Sequence, residues 1–218
     1  MTAVSAYVPC FNNAVSVVQA LSSLQTQIGH VVELYLVDDA SSDSSLDLAR
    51  QMQIPVVALE QNMGRGAVRA VAIDLAKNDF VLSCDATNKL PVDFLQQALS
   101  WFDDPQVAAV FGRIWDEREL TLADRWRGRH LFRVKEPMAV RHGALLSTYG
   151  CVIRRSAVLE VGNFDRSLRH SEDADLGRRL LAAGFDVVFD PSLLVVSGVS
   201  NSLGQVLERY WRWYAGPE

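Results

Sequence analysis

Short apolar runs alternate with helix-spaced apolar positions along most of this chain. Ala3 to Val8 is a mostly apolar run stopped by Pro9, and Val31 to Val37 is a second. Between them Val15, Val18, Leu21 and Leu24 recur at three-residue steps, the spacing of one helix face, before Gly29. The alternation continues: Ser44 to Met52 predicts a helix, Ile54 to Leu59 a strand, and Gly64 to Ala76 a helix rich in alanine and valine. Asp79 to Cys84 then reads as a strand, Pro91 to Phe102 as a helix and Val107 to Phe111 as a strand. Such alternation needs right-handed crossovers, so it predicts an α/β fold whose mostly parallel central sheet is flanked by helices. Ile114 to Leu146 carries few strand signals and predicts helices and an excursion over the sheet. Beyond it, Tyr149 to Arg154 reads as a strand, Glu172 to Ala183 as an amphipathic helix closed by Gly184, and Asp186 to Asp190 as a short strand. Leu203 to Tyr214 reads as a last helix.

Composition narrows the class. With 218 residues, 49% apolar and 22% charged, the chain matches an ordinary globular protein, and residues 1–218 are expected to form one domain. A net charge of −5 argues against nucleic acid or anionic lipid as a non-specific partner, because both need a positive field. Cys10, Cys84 and Cys151 are an odd number without metal-ligand spacing, which reads as buried thiols of a reducing compartment. There is no secretory leader pattern and no apolar run long enough to span a bilayer, so a cytoplasmic location without a transmembrane segment is expected. The abrupt aromatic ending, Trp211 to Glu218, is what a chain cut short of a C-terminal extension would show.

The candidate chemistry sits where strands end in acids. One strand runs into Asp38-Asp39, and Phe80 to Leu82 leads to a lone Asp85, followed by small and polar residues and Pro91. In an open α/β sheet ligands collect outside the carboxyl ends of strands, so Asp85 is a candidate for holding a ligand or metal; the alternative is a carboxylate that only caps the following turn. A nucleotide suits such a site, because carboxylates accept hydrogen bonds from base N–H groups and ribose hydroxyls. The sequence lacks both the G-x-G-x-x-G fingerprint and the G-x-x-x-x-G-K-[ST] loop, which excludes the usual dinucleotide oxidoreductases and P-loop enzymes. A nucleotidyltransferase usually carries a glycine-rich basic loop near its N-terminus, and Pro9 to Val15 supplies none.

Five stretches together resemble the motifs of family 2 glycosyltransferases with the GT-A fold. They are Val4 to Asn12, Leu36 to Asp43, Asn62 to Gly66, Arg154 to Asp165, and Ser171 to Leu176, in the family's order; the likeness runs from Val4 to about Gly216. The resemblance implies transfer of a sugar from a nucleotide diphosphate sugar to the hydroxyl of a glycan or lipid-linked acceptor, in polysaccharide or glycoconjugate synthesis. It implies that Pro9 and Asn12 line the donor pocket, that Asp39 contacts the nucleobase, and that Gly64 lets the chain pass close to the nucleotide. Arg65 would lie near the diphosphate, where a guanidinium makes charge-assisted bonds, or else is a solvated residue at a helix start. Asp85 would hold the ribose or a Mg or Mn ion. Asp173 would be the base that deprotonates the acceptor hydroxyl in an inverting transfer, with Glu172 as its acidic neighbour. A helix start lowers the pKa of such an acid and the like charge raises it. Asp175 is expected to face elsewhere on the same turn.

The chain departs from the family at two positions. Asp85-Ala86-Thr87-Asn88 falls where the family usually has Asp-x-Asp, so Thr87 stands in place of the second acid. Ser197 falls near the family's frequent histidine ligand. A hard divalent cation prefers anionic oxygen, to which a neutral hydroxyl is a poor substitute. Three readings follow: a weakened metal site of Asp85 and the diphosphate, a metal-independent enzyme using basic residues, or a non-catalytic module that binds nucleotide sugar. A basic cluster bears on the choice, comprising Arg125, Arg127, Arg129, Arg133, Lys135 and Arg141, with Trp126, His130 and His142 among them. It either meets an anionic ligand or is a solvated face paired with Asp116, Glu117 and Glu119. The ending Arg209 to Gly216 is similar to an Arg-Trp-x-x-Gly motif of processive members, which implies acceptor contacts by Trp213 and Arg212; alternatively these aromatics pack a terminal helix on the sheet.

Overall fold

The structure is a computed structural model and describes residues 2–27, 31–115, 121–130, 132–199 and 202–214. It opens with β1 (Val4–Cys10), α1 (Val17–Gln25), β2 (Val31–Asp38), α2 (Ser45–Gln51), β3 (Val56–Ala58), α3 (Arg65–Leu75) and β4 (Phe80–Cys84). Next come β5 (Asn88–Lys89), α4 (Phe94–Leu99), a 3₁₀ turn over Ser100–Asp103, β6 (Val107–Trp115), α5 (Leu122–His130), β7 (Gly150–Arg154) and α6 (Arg155–Glu160). The last elements are α7 (Glu172–Ala182), β8 (Asp186–Ser197) and α8 (Leu203–Tyr214). The strands form one sheet in the order β3-β2-β1-β4-β7-β6-β8-β5. Pairing is parallel from β3 through β4 and between β6 and β8, and antiparallel on both sides of β7 and between β5 and β8. The sheet is therefore mixed, with the predicted strand–helix alternation in its parallel half.

Both faces of the sheet are covered, which is why its central strands read as continuous apolar runs. In β1, Val4, Ala6 and Val8 pack with Leu21 and Leu24 of α1 and Phe94 and Leu95 of α4. The intervening Tyr7 packs on the opposite face with Val68 and Ile73 of α3 and Leu176 and Leu180 of α7. Successive strand side chains point to opposite faces, so one heptapeptide supplies both cores. Each fully buried leucine or isoleucine contributes about 1.5–3 kcal/mol by leaving water.

Several expected boundaries need correction. Pro9 does not stop β1 but pairs with Val37 inside it; β1 meets β4 only as far as Tyr7, so one flank of Pro9 has no ladder to interrupt. The buried face of α1 is Val17, Ala20, Leu21 and Leu24, and Val15 is 91% exposed ahead of the helix. Three-residue steps drift off a 3.6-residue helix, so Val15 lost its place on the face. The strand at Asp186 continues through Pro191 to Ser197, because it changes partner from β6 to β5 along its length. The short β5 and α6 left no periodic signal. Gly29 and the acids Asp116, Glu117 and Glu119 lie outside the described residues.

Candidate functional site

The strand order places the acids together. β1 lies between β2 and β4, so the chain leaves the sheet in opposite directions on either side of it, which is where α/β folds open a crevice. A cavity of about 1390 Å³ opens there, lined by Pro9, Asp39, Gly64, Arg65, Asp85 and Asp173 among others. Asn12 lies outside that lining. It is exposed at φ 53°, and its Oδ1 accepts from Ser42 N at 2.8 Å and Asp43 N at 3.3 Å, tying the loop after β1 to the loop after β2.

Asp39 is buried and organises its own chain. Its Oδ1 accepts from Met63 N at 2.7 Å, and its Oδ2 accepts from Asn62 Nδ2 and Gly64 N, both at 2.9 Å. A carboxylate offers about four acceptor positions, so three are already occupied. The turn that Asp39 holds brings Gly64 to φ 90°, a left-handed conformation that favours glycine. A Cβ on Gly64 would lie 2.7 Å from Arg169 Cα, and one on Gly66 would lie 2.0 Å from the Asp165 carbonyl oxygen. The glycines at the start of α3 thus admit the segment 165–169, which leads directly into α7. Their immediate neighbour is protein chain.

Sequence reasoning missed Arg69, the residue on which the site turns. It is 2% exposed in the middle of α3. Its Nη2 donates to Asp85 Oδ1 at 2.7 Å, its Nε to Glu172 Oε1 at 3.0 Å, and its Nη1 to Ser83 Oγ at 2.9 Å and Tyr7 Oη at 3.3 Å. One guanidinium therefore joins the ends of β4 and α7. The available signal was a lone charge among buried Ala67, Val68, Ala70, Ala72 and Ile73, since a buried cation must have partners. Breaking such an array by removing one member typically costs about 3–5 kcal/mol.

Glu172 and Asp173 open α7 after Ser171, which sits at φ 62°. Glu172 is 1% exposed and its Oε2 is buried with no hydrogen-bond partner among the described residues, so Arg69 is its main compensation. Asp173 Oδ1 accepts from Ala174 N at 2.9 Å. Burial and then the Glu172 charge push the Asp173 carboxyl up to about 6, against the lowering pull of Arg69. Desolvation, which no sequence pattern displays, outweighs the helix start here. Asp175 faces away, accepting from Arg179 Nε at 2.9 Å and Nη2 at 2.7 Å.

The basic cluster divides. Arg125 and Arg129 are exposed on α5, whereas Arg127, Arg133 and Arg141 line the cavity. Arg127 is 2% exposed, and its Nη2 donates to Ser197 Oγ at 3.0 Å. Trp211 on α8 also lines the cavity, while the side chains of Arg212 and Trp213 lie outside the described residues.

A divalent cation bridging a diphosphate is usually held by one or two protein carboxylates, and the residues present offer it a single oxygen, that of Asp85. One Asp85 oxygen is bound by Arg69, Thr87 is neutral, and the Ser197 hydroxyl accepts from Arg127. Among the described residues no group of three or more His, Cys, Asp or Glu is placed to hold a metal ion. Among them, too, no helix is long and apolar enough to cross a membrane.

Known proteins share this architecture. The chain is similar to an N-acetylglucosaminyltransferase of Rhizobium leguminosarum bv. viciae, 26% identical, over 96% of this chain and 54% of that protein. It is similar to a pre-mycofactocin glycosyltransferase of Mycobacterium tuberculosis, 28% identical, over 88% of this chain and 42% of that protein. The chain thus spans about half the length of these curated relatives, at 54% and 42%. In fold it matches the mannosyltransferase PcManGT from Pyrobaculum calidifontis in complex with GDP-Man and Mn²⁺, with TM-score 0.72, 19% identity and coverage of 92% of this chain and 58% of that one. It also matches S. aureus TarS 1–349 in complex with UDP-GlcNAc, with TM-score 0.68, 18% identity and coverage of 93% and 60%. The expected GT-A fold is therefore present. The model of the glycosyl transferase family 2 matches residues 5–162, most of the chain and every strand from β1 to β7, and on that match the chain belongs to this family.

Proposed function

We propose that this chain carries the donor-binding and catalytic site of an inverting glycosyltransferase that uses a nucleotide diphosphate sugar. The observation that supports the reading is the ion array Asp85–Arg69–Glu172, which anchors the start of α7 beside the cavity, where Asp173 would accept the proton. In the proposed step the acceptor hydroxyl oxygen attacks the anomeric carbon from the face opposite the leaving group. A new C–O bond forms, the bond from that carbon to the diphosphate oxygen breaks, and the diphosphate leaves with the electron pair. The hydroxyl proton passes to Asp173. A base with a pKa near 6 is largely ionised at neutral pH yet stronger than an ordinary aspartate, which suits proton abstraction.

The donor would lie across β1 and β4. Asp39 would use its remaining acceptor position on a base N–H, beside Pro9, and the Asp85 oxygen not bound to Arg69 would accept from a ribose hydroxyl. Arg65 stands at the start of α3, exposed and on the cavity lining, where the diphosphate would pass. Acceptor contacts would come from α8, through Trp213 and Arg212, and the acceptor would be a glycan or a lipid-linked saccharide. Relatives named for undecaprenyl-phosphate sugar transfer lend support to the lipid-linked class. The three cysteines are free and buried, in keeping with a reducing cytoplasm.

A module that binds nucleotide sugar without turnover has one observation in its favour, the neutral Thr87 and Ser197 at the positions expected to hold metal. Incubation with a panel of UDP- and GDP-sugars, following release of nucleoside diphosphate and the anomeric configuration of the product by proton NMR, separates the readings. The proposal expects release of the diphosphate and an inverted anomer. A retained anomer overturns the inverting step, and nucleotide binding without turnover on any donor favours the module.

A further inference from the structure

We infer that Arg169 is a positioning residue that fastens the start of α7, and with it Asp173, to the turn that would receive the nucleobase. The inference rests on the function proposed above and concerns how the donor end of the site and its base are held in register. Asn62 is the joint. Its Nδ2 donates to Asp39 Oδ2 at 2.9 Å, its carbonyl accepts from Arg169 Nη1 at 3.2 Å, and its Oδ1 accepts from Arg169 Nη2. One residue thus carries the buried carboxylate of β2 on one side and both arms of a guanidinium on the other.

The backbone around Arg169 strengthens the same joint. Gly66 N donates to the Leu168 carbonyl at 3.0 Å and Arg65 N to the Arg169 carbonyl at 3.4 Å, so two of the first donors of α3 are satisfied by this segment. Two residues after Arg169, Ser171 turns the chain at φ 62°, and Glu172 then bonds Arg69, about one turn along α3 from Arg65. The stretch 62–69 therefore grips the stretch 168–172 at two points, Asn62 to Arg169 and Arg69 to Glu172, and Asp173 is the next residue.

The two grips differ in kind. Arg69 and Glu172 are buried, and their pair holds the fold. Arg169 is exposed and its guanidinium bonds only the neutral oxygens of Asn62 among the described residues, so what it fixes is local geometry rather than overall stability. Asp173 reports on that geometry. It is faced by its neighbour Glu172, by Arg65 and Arg69 of α3, and by Tyr149 and Cys151. Loosening the start of α7 admits water to the carboxyl and withdraws the burial that raises it.

Turnover of the panel of UDP- and GDP-sugars by the wild-type chain, Arg169→Met and Arg169→Lys, beside calorimetric titration of UDP and GDP, tests this. Arg169→Met should lower kcat about tenfold or more, the effect of a misplaced base, while nucleotide dissociation constants stay within about threefold of wild type. Its acidic limb of kcat/KM should move from about 6 toward the ordinary aspartate range. Arg169→Lys, which can reach one Asn62 oxygen, should recover part of kcat, and both variants should melt within about 4 °C of wild type. An Arg169→Met chain whose kcat and acidic limb match wild type overturns the inference, whatever its melting temperature. So does a loss of nucleotide affinity as large as the loss of kcat, which would make Arg169 a donor contact. Should the wild type turn over no donor, the proposed function falls, and urea unfolding still decides the joint. The stability that wild type loses through Asp173 as pH rises through about 6, measured against Asp173→Asn, should shrink when Arg169→Met is present. An undiminished loss overturns the inference.

Discussion

The two walls of the cavity are built on different principles. The wall formed by the ends of β1, β2 and β4 and the start of α3 is fixed from within, Asp39 by three donors of the turn it closes and Asp85 by the buried Arg69. The opposite wall, α5 and the segment 132–148, is tied to β8 by backbone bonds between Arg141 and Phe189 and from Ala144 N to the Val187 carbonyl, and to β6 by an arginine. Arg113 Nη2 donates to the carbonyls of Arg133, Val134 and Glu136, and within 132–148 the buried apolar side chains are Val134, Ala144 and Leu146. The first wall is ordered around buried carboxylates, while the second is an excursion fastened at its two ends, to α5 and to β8. On the proposed reading, such an arrangement would let an acceptor side diverge without unfolding the donor side.

Arg69→Met breaks the first wall most severely. It leaves Asp85 and Glu172 without their shared cation, and urea unfolding should show a loss of about 3–5 kcal/mol. A loss below about 1 kcal/mol would mean that the array does not hold the site together. Gly64→Ala comes next, because it forces a side chain into φ 90° and against Arg169. The expected loss is about 1–3 kcal/mol, with weaker nucleotide binding, since the turn held by Asp39 must shift.

The raised Asp173 carboxyl gives a pH signature for the same wall. The folded chain holds this proton more tightly than the unfolded chain does. Its contribution therefore favours the fold at low pH and turns against it as pH rises from the ordinary aspartate range through about 6. Asp173→Asn should remove that dependence and raise relative stability above pH 6. For transfer the sign is reversed, because the base must be ionised. The rate kcat/KM should fall about tenfold per pH unit below 6. A profile flat between pH 5 and 7 would contradict the assignment.

Arg113→Ala should have the smallest effect and sharpen the contrast. Losing its fork should cost about 1 kcal/mol, raise KM for the acceptor, and leave the nucleotide dissociation constant unchanged. A parallel loss of nucleotide affinity would show that the walls are not independent.

What was legible in the sequence follows the same divide. The parallel half was readable because strands buried on both faces leave apolar runs, as in Leu34 to Val37, and these end at the acids that mark the cavity. The carboxylates Asp39, Asp85 and Asp173 could be named, yet their partners could not. The contact from Arg69 to Glu172 spans 103 positions, so the apolar setting of Arg69 signals that it needs a partner but not which one. Gly64 was legible as a close approach, but that segment 165–169 packs against it and against Gly66 depended on where the chain returned. The antiparallel insertion of β7 and the partner change along β8 were invisible for the same reason. The basic cluster read as one feature in sequence, but helix geometry splits it, burying Arg127 and exposing Arg125 and Arg129.

The central claim, that Asp173 abstracts the acceptor proton at a donor site fixed by Arg69, is tested most directly by Asp173→Asn under single turnover with saturating donor. The account predicts that nucleotide binds within about twofold of wild type while the transfer rate falls by roughly 10²–10⁴, the usual contribution of a general base. A variant that transfers sugar at the wild-type rate would contradict it.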